Sequence, residues 1–143
     1  MTDAGYSGTP LARKLGLKDG QRALLLGVPS GLDAISGFAG FRTLETSIGG
    51  AAERDADYAH VFETERSGLE RLAPILAGRL KPDGMLWISW PKKASKLPTT
   101  LTEDVLRDIF LPLGLVDVKV CAVDAVWSGL KFMFRREVRD RLS

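Results

Sequence analysis

Apolar residues fall into two spacings along this chain: continuous or every-second-residue runs, and longer stretches repeating at three to four residues. Residues 22–28 form a continuous apolar run bounded by Gly20 and Pro29, the pattern of a strand buried on both faces. Residues 41–46 and 58–62 predict two further strands, the second containing His60 and following the acidic stretch 53–57. Leu69, Leu72, Ile75, Leu76 and Leu80 then share one helical face, which predicts a helix over 65–80 that Pro74 should kink or divide. Lys81-Pro82-Asp83-Gly84 predicts a turn, and residues 85–90 a fourth strand.

The last third continues the alternation. Thr100 and Glu103 stand at capping-box spacing, with Thr102 as a rival N-cap, ahead of the stripe Val105, Leu106, Ile109 and Phe110. Pro112 and Gly114 end that helix. Val116, Val118, Val120 and Ala122 share one face of a run over 115–124, and Leu130, Phe132 and Phe134 alternate after the loop 125–129, so the two runs read as an antiparallel hairpin. Near the start, Thr9, Pro10 and Gly16 bracket a short helix as N-cap, first helical residue and stop. Strand–helix units ending in a hairpin predict an α/β fold, three-layered and Rossmann-like, with a mostly parallel sheet and a C-terminal antiparallel hairpin. Residues 1–143 read as a single α/β domain, with its core over about 9–136.

Composition narrows the function classes. Hydrophobic content of 45% with 27% charged residues fits a globular chain of 143 residues and excludes a disordered one. The net charge of +2 does not point to nucleic acid or a membrane surface. No apolar run approaches a membrane span, and the first residues carry no basic-then-apolar leader pattern. The lone Cys121 excludes an internal disulfide framework and leads to a cytoplasmic expectation. With one histidine and one cysteine there is no His/Cys zinc set, so no metal is expected.

Chemistry is sparse. Leu24-Leu25-Leu26 runs into Gly27-Val28-Pro29-Ser30-Gly31, a strand followed by a G-x-x-x-G turn of the kind that opens many nucleotide-binding α/β proteins. Pro29 stands where a third glycine would let backbone meet ligand; it fixes φ and removes a donor. In a parallel sheet ligands sit beyond the carboxyl ends of the strands, which predicts convergence of residues 27–31, 63–67 and 90–93. Trp90 with Lys92, Lys93 and Lys96 offers an aromatic face beside cations, a combination suited to an anion. Trp127 and Ser128 are further candidates in the hairpin loop. His60 lies mid-strand and Cys121 among valines and alanines, both read as structural residues; Glu63 and Glu65 read as acids opening a helix, and no catalytic residue is assigned. The tail after Arg135 carries mixed charges and reads as a solvated end.

Two resemblances add to this reading. Leu76-Ala77-Gly78-Arg79-Leu80-Lys81-Pro82-Asp83-Gly84-Met85-Leu86, and Leu113-Gly114-Leu115 with the hairpin beyond, resemble the class I S-adenosylmethionine-dependent methyltransferase fold. That resemblance implies a cofactor loop at 27–31 and makes Glu45 the acid that would grip the ribose hydroxyls. The first-strand acid of that fold is replaced by Leu25, and the crossover after Gly31 is short. Gly5-Tyr6-Ser7-Gly8-Thr9-Pro10, Met85-Leu86-Trp87-Ile88-Ser89-Trp90-Pro91-Lys92-Lys93 and Val126-Trp127-Ser128-Gly129-Leu130-Lys131-Phe132 are similar to the bacterial family catalogued as domain of unknown function 3052, which implies no activity. The expectation is a non-catalytic binding or regulatory module on a methyltransferase-like scaffold, with a small anionic ligand or protein partner at the carboxyl edge of the sheet and no cofactor. The alternatives are a minimal methyltransferase that binds S-adenosylmethionine, and a homodimeric interaction subunit pairing through the hairpin edge.

Overall fold

The computed structural model describes residues 10–48 and 53–142. The six strands among these residues join one sheet in the order β2-β1-β3-β4-β6-β5. They are β1 (Arg22–Leu26), β2 (Thr43–Glu45), β3 (Ala56–Phe62), β4 (Leu80–Pro91), β5 (Leu115–Ala122) and β6 (Trp127–Phe134). The pairs β1·β2, β1·β3 and β3·β4 are parallel, and β6 runs antiparallel to both β4 and β5. The mostly parallel α/β sheet with its terminal hairpin is therefore as the hydrophobic pattern predicts.

Helices cover the two faces unequally. α3 (Arg66–Arg79), α4 (Glu103–Phe110) and α5 (Arg136–Leu142) bury Leu69, Leu76, Leu106, Phe110 and Val138 against Leu24, Val61, Leu86, Ile88 and Phe132 on the first face. Among the described residues, the second face carries only α1 (Leu11–Lys14) and α2 (Asp33–Ser36), four residues each. Leu15, Leu17, Leu32 and Ile35, in and around them, cover Leu25, Tyr58, Phe62 and Trp87. Successive strand residues thus enter opposite cores, which is why β1, β3 and β4 read as unbroken apolar runs.

Several expectations change at element ends. The Thr9 cap lies outside the described residues, and Pro10 occupies the N-cap position of α1. β1 stops at Leu26, two residues early, because Gly27 turns the chain at φ +72°. α3 passes through Pro74 undivided. Its proline is exposed, and the carbonyl one turn before it belongs to the exposed Glu70, where the helix can lose that bond on its solvent side. Residues 81–84, predicted as a turn, belong to β4: Ala56 pairs with Leu80 and Tyr58 with Met85, so the surplus residues bulge out of one strand. Thr102, and not Thr100, caps α4 by accepting the Val105 N–H at 3.2 Å, while Thr100 accepts the N–H of Arg66.

The hairpin also differs in detail. Trp127 and Ser128 open β6 and are not in the loop. A register shift between Asp117 and Lys119 leaves Val118 and Val120 about half exposed, with Leu115 and Cys121 buried in their stead. The arginine-rich tail is not a solvated end. It forms α5, whose Val138 closes over Gly114, where a Cβ would stand 3.2 Å from the valine methyls.

Candidate functional site

Chain order reverses at β1: the crossover through α2 leads outward to β2, and the next crossover returns to β3 on the other side. Such a switch point leaves a crevice beyond the carboxyl ends of β1 and β3. Residues 27–31 roof it. A Cβ on Gly27 would stand 2.8 Å from the Phe62 carbonyl oxygen, so this glycine lets the end of β1 press against the end of β3. Gly31, at φ +92°, faces open space, and the Pro29 carbonyl accepts the Leu32 N–H to start α2. Beneath the turn lies a cavity of about 280 Å³ lined by Leu25, Gly27, Val28, Ser36, Leu44 and Thr46. Leu44 pairs with Ala23, a residue of the second-face core, so the cavity belongs to that face.

Glu45 is not brought to this cavity. It pairs with Leu24, whose side chain enters the first-face core, and its carboxylate is bound by the Arg79 guanidinium from the end of α3. Arg79 is 5% exposed; it also reaches Asp55 at 3.2 Å and donates Nε–H to the Glu53 carbonyl at 3.1 Å. The hydrogen bond with Glu45, then that with Asp55, holds the guanidinium still more firmly charged. Glu63 and Glu65 do not pair as carboxylates: Glu63 Oε2 accepts the backbone N–H groups of Thr64 and Glu65 at 2.9 and 3.0 Å.

At the end of β4 the predicted cluster divides. Lys92 is a strut, donating Nζ–H to the Asp124 carbonyl and its backbone N–H to the Val126 carbonyl, both at 2.7 Å. Trp127 starts β6 on the second face, edge-on to Phe62 with centroids 5.3 Å apart; Ser128 pairs with Trp90 in the sheet. Trp90 itself lies on the first face and is 8% exposed. Trp90 and Trp127 therefore serve opposite faces. On Trp90's side a second, larger cavity of about 730 Å³ extends from Pro91 past Lys93 and Lys96 to Leu101 and the start of α4. Its outer wall, residues 97–101, is pinned to the end of β3, since Thr99 Oγ1–H and the Thr100 N–H both donate to the Thr64 carbonyl, at 2.7 and 2.9 Å. Composition did not reveal that wall; the polar Thr99-Thr100 pair after Pro98 was its only signal.

The one buried histidine is sealed off from both cavities. His60 is fully buried, with Nδ1 3.1 Å from the Tyr58 hydroxyl and Nε2 2.7 Å from Ser89 Oγ. One ring nitrogen donates and the other accepts. Burial pushes its pKa down to about 3, so the ring is neutral. Cys121, 7% exposed, donates weakly to the Ala122 carbonyl, and burial raises its thiol pKa. Neither is presented to a ligand. Among the described residues no three His, Cys, Asp or Glu side chains gather as a metal set. No described helix is long and apolar enough to cross a membrane.

Solved structures with this arrangement are numerous. A S-adenosylmethionine-dependent methyltransferase from Aquifex aeolicus superposes with a TM-score of 0.62 at 16% identity, over 87% of this chain and 88% of that one. The fold is that of the S-adenosylmethionine-dependent methyltransferases. A Pyrococcus horikoshii protein gives a TM-score of 0.62 at 11% identity, covering 87% and 86% of the two chains. Magnesium protoporphyrin IX methyltransferase from Synechocystis, solved with S-adenosylmethionine bound, gives 0.59 at 12% identity, over 87% of this chain and 74% of that one. At these identities the likeness is one of fold. No family model and no curated protein matches the sequence.

Proposed function

We propose that this protein is a minimal S-adenosylmethionine-dependent methyltransferase, with the adenosyl portion of the cofactor in the cavity between β1, α2 and β2, beside the β1/β3 switch point. The observation that carries the reading is the strand reversal roofed by residues 27–31, on a sheet that superposes with methyltransferases over most of its length. These neighbours support methyl transfer better than the expected cofactor-free module. The residues present fit the adenosyl portion: Leu25, Val28 and Leu44 would sandwich a flat base, and Ser36 and Thr46 supply hydroxyls at its edge. They do not give Glu45 the ribose, because Arg79 holds that carboxylate on the other face. When bound, the cofactor supplies a sulfonium methyl group open to attack by an acceptor's lone pair. This chain's contribution is then positioning and exclusion of water. Membership of the family catalogued as domain of unknown function 3052, which the string 85–93 suggests, belongs to the same proposal and adds no chemistry to it.

A second reading keeps the site and drops the reaction. It is favoured by one observation: Glu45 and Glu63 are held by Arg79 and by backbone N–H groups, and His60 is sealed, so none of them opens onto the crevice as an acid or base. Calorimetric titration with S-adenosylmethionine and S-adenosylhomocysteine decides between them. The methyltransferase reading expects micromolar binding that Leu44→Trp abolishes and Glu45→Ala leaves within about threefold, a change below 1 kcal/mol. Binding without formation of S-adenosylhomocysteine in the presence of acceptors selects the non-catalytic reading. No binding by the intact protein overturns both.

A further inference from the structure

We propose that the cavity between the end of β4, the wall 97–101 and the first turn of α4 is a binding site for a small amphipathic carboxylate, an aryl or branched acyl acid. The proposal is independent of the methyl-transfer reading. At about 730 Å³ the cavity is of small-ligand size, and its walls include Trp90, Leu97 and Leu101. At its β4 end the free side-chain polar groups are donors, while the carboxylates of Glu103 and Asp104 stand at the opposite, α4 end. Trp90 is 8% exposed, yet its indole N–H has no hydrogen-bond partner among the described residues. That N–H is not a buried unsatisfied atom, so it is open to solvent and to a ligand. Lys93 and Lys96, on the same wall, form no ion pair or hydrogen bond through their side chains among the described residues.

The acids at the rim offset part of this charge, leaving Lys93, Lys96 and Arg107 against Glu103 and Asp104 among the lining residues, a net positive charge of one. Glu103 and Asp104 are engaged by Arg107 at 2.9 and 3.1 Å, and the same guanidinium reaches Asp117 at 3.2 Å. The opening turn of α4 adds unsatisfied backbone N–H groups, of which Thr102 Oγ1 takes only that of Val105. An apolar wall flanked at the β4 end by two unpaired ammonium groups calls for a ligand with an apolar body and an acceptor head carrying negative charge, seated at that end and away from Glu103 and Asp104. A neutral hydrocarbon would leave the indole N–H and both ammonium groups unused. A free phosphate would leave the apolar walls uncovered. This chamber lies on the first face of the sheet and the cavity beneath residues 27–31 on the second, so the two sites would fill independently.

Naphthoate and its neutral analogue naphthylmethanol are suitable probes for the intact protein. Calorimetry should give one saturable site for naphthoate. A Lys93→Ala/Lys96→Ala variant should weaken naphthoate by about tenfold or more, and naphthylmethanol by less than about twofold. Both lysines are exposed, so the variant keeps the fold. The Trp90 indole N–H resonance, assigned with Trp90→Phe, should move on naphthoate addition while that of Trp87, bonded to the Leu15 carbonyl at 2.8 Å, stays. Absence of saturable binding, equal weakening of both probes, or a shift confined to Trp127 overturns the proposal.

Discussion

Acid should destabilise this protein through His60, and the structure sets both the sign and the size. In the unfolded chain the imidazole titrates near its ordinary 6.5; in the fold, complete burial brings it to about 3. Between those values the unfolded state binds a proton that the native state refuses, so stability is full above the unfolded pKa and falls as the pH drops. The loss is about 1.4 kcal/mol per pH unit once the pH is well below 6.5, which integrates to about 2.5 kcal/mol between pH 7 and pH 4.5. Carboxylates such as Asp57, whose pKa is lowered in the fold by the Arg22 N–H and Lys81 against an opposing desolvation, titrate in the same range. A His60→Gln control removes them from the comparison, since Gln keeps donor and acceptor atoms for Tyr58 and Ser89. Urea unfolding of both proteins at a series of pH values gives the difference directly. The advantage of His60 over Gln should shrink by about 2.5 kcal/mol from pH 7 to pH 4.5. Parallel stability curves for the two proteins across that range would show that the native histidine protonates freely, and the sealed-network account would be wrong.

Two further outcomes follow from close contacts. Gly27→Ala should cost about 2–3 kcal/mol in urea unfolding, from a positive φ and a Cβ 2.8 Å from a carbonyl oxygen that is backbone and cannot step aside, whereas Gly31→Ala should cost about 1 kcal/mol, from φ alone. Cys121, buried with a raised thiol pKa, should react with an aromatic disulfide at least about a hundredfold more slowly than in urea-unfolded chain, and equal rates would count against its burial.

Most of the sheet was legible because its strands are buried on both faces: Leu24, Leu25, Val61, Leu86 and Ile88 leave no polar position to blur the run. What the pattern hid were contacts between elements. Nothing local marks Leu80 as already paired with Ala56, so residues 81–84 resembled an ordinary turn. Val138 looks like a stray apolar residue among charges until Gly114 offers it a seat. The site fared similarly. The strand-end rule gathered residues 27–31 and 90–93 at one edge of the sheet, but it could not say which face each side chain would serve. Parity along β4 and β6 sends Trp90 one way and Trp127 the other; parity along β2 turns Glu45 from the crevice toward Arg79. Lys92 and Lys93 adjoin in sequence, yet only Lys92 meets the Asp124 carbonyl.

The unequal cover of the two faces has a dynamic consequence. Four-residue helices have too few internal bonds to persist alone, so α1 and α2 hold their shape only while Leu15, Leu17, Leu32 and Ile35 stay docked. That cover is accordingly the part of the protein expected to open at the lowest free energy, well below global unfolding, while the layer of α3, α4 and α5 remains closed. Backbone amides beneath it, in β1 and β3, would then exchange with solvent in a single cooperative group. Protons would reach His60 from that side, by brief undocking of the cover and without melting the sheet.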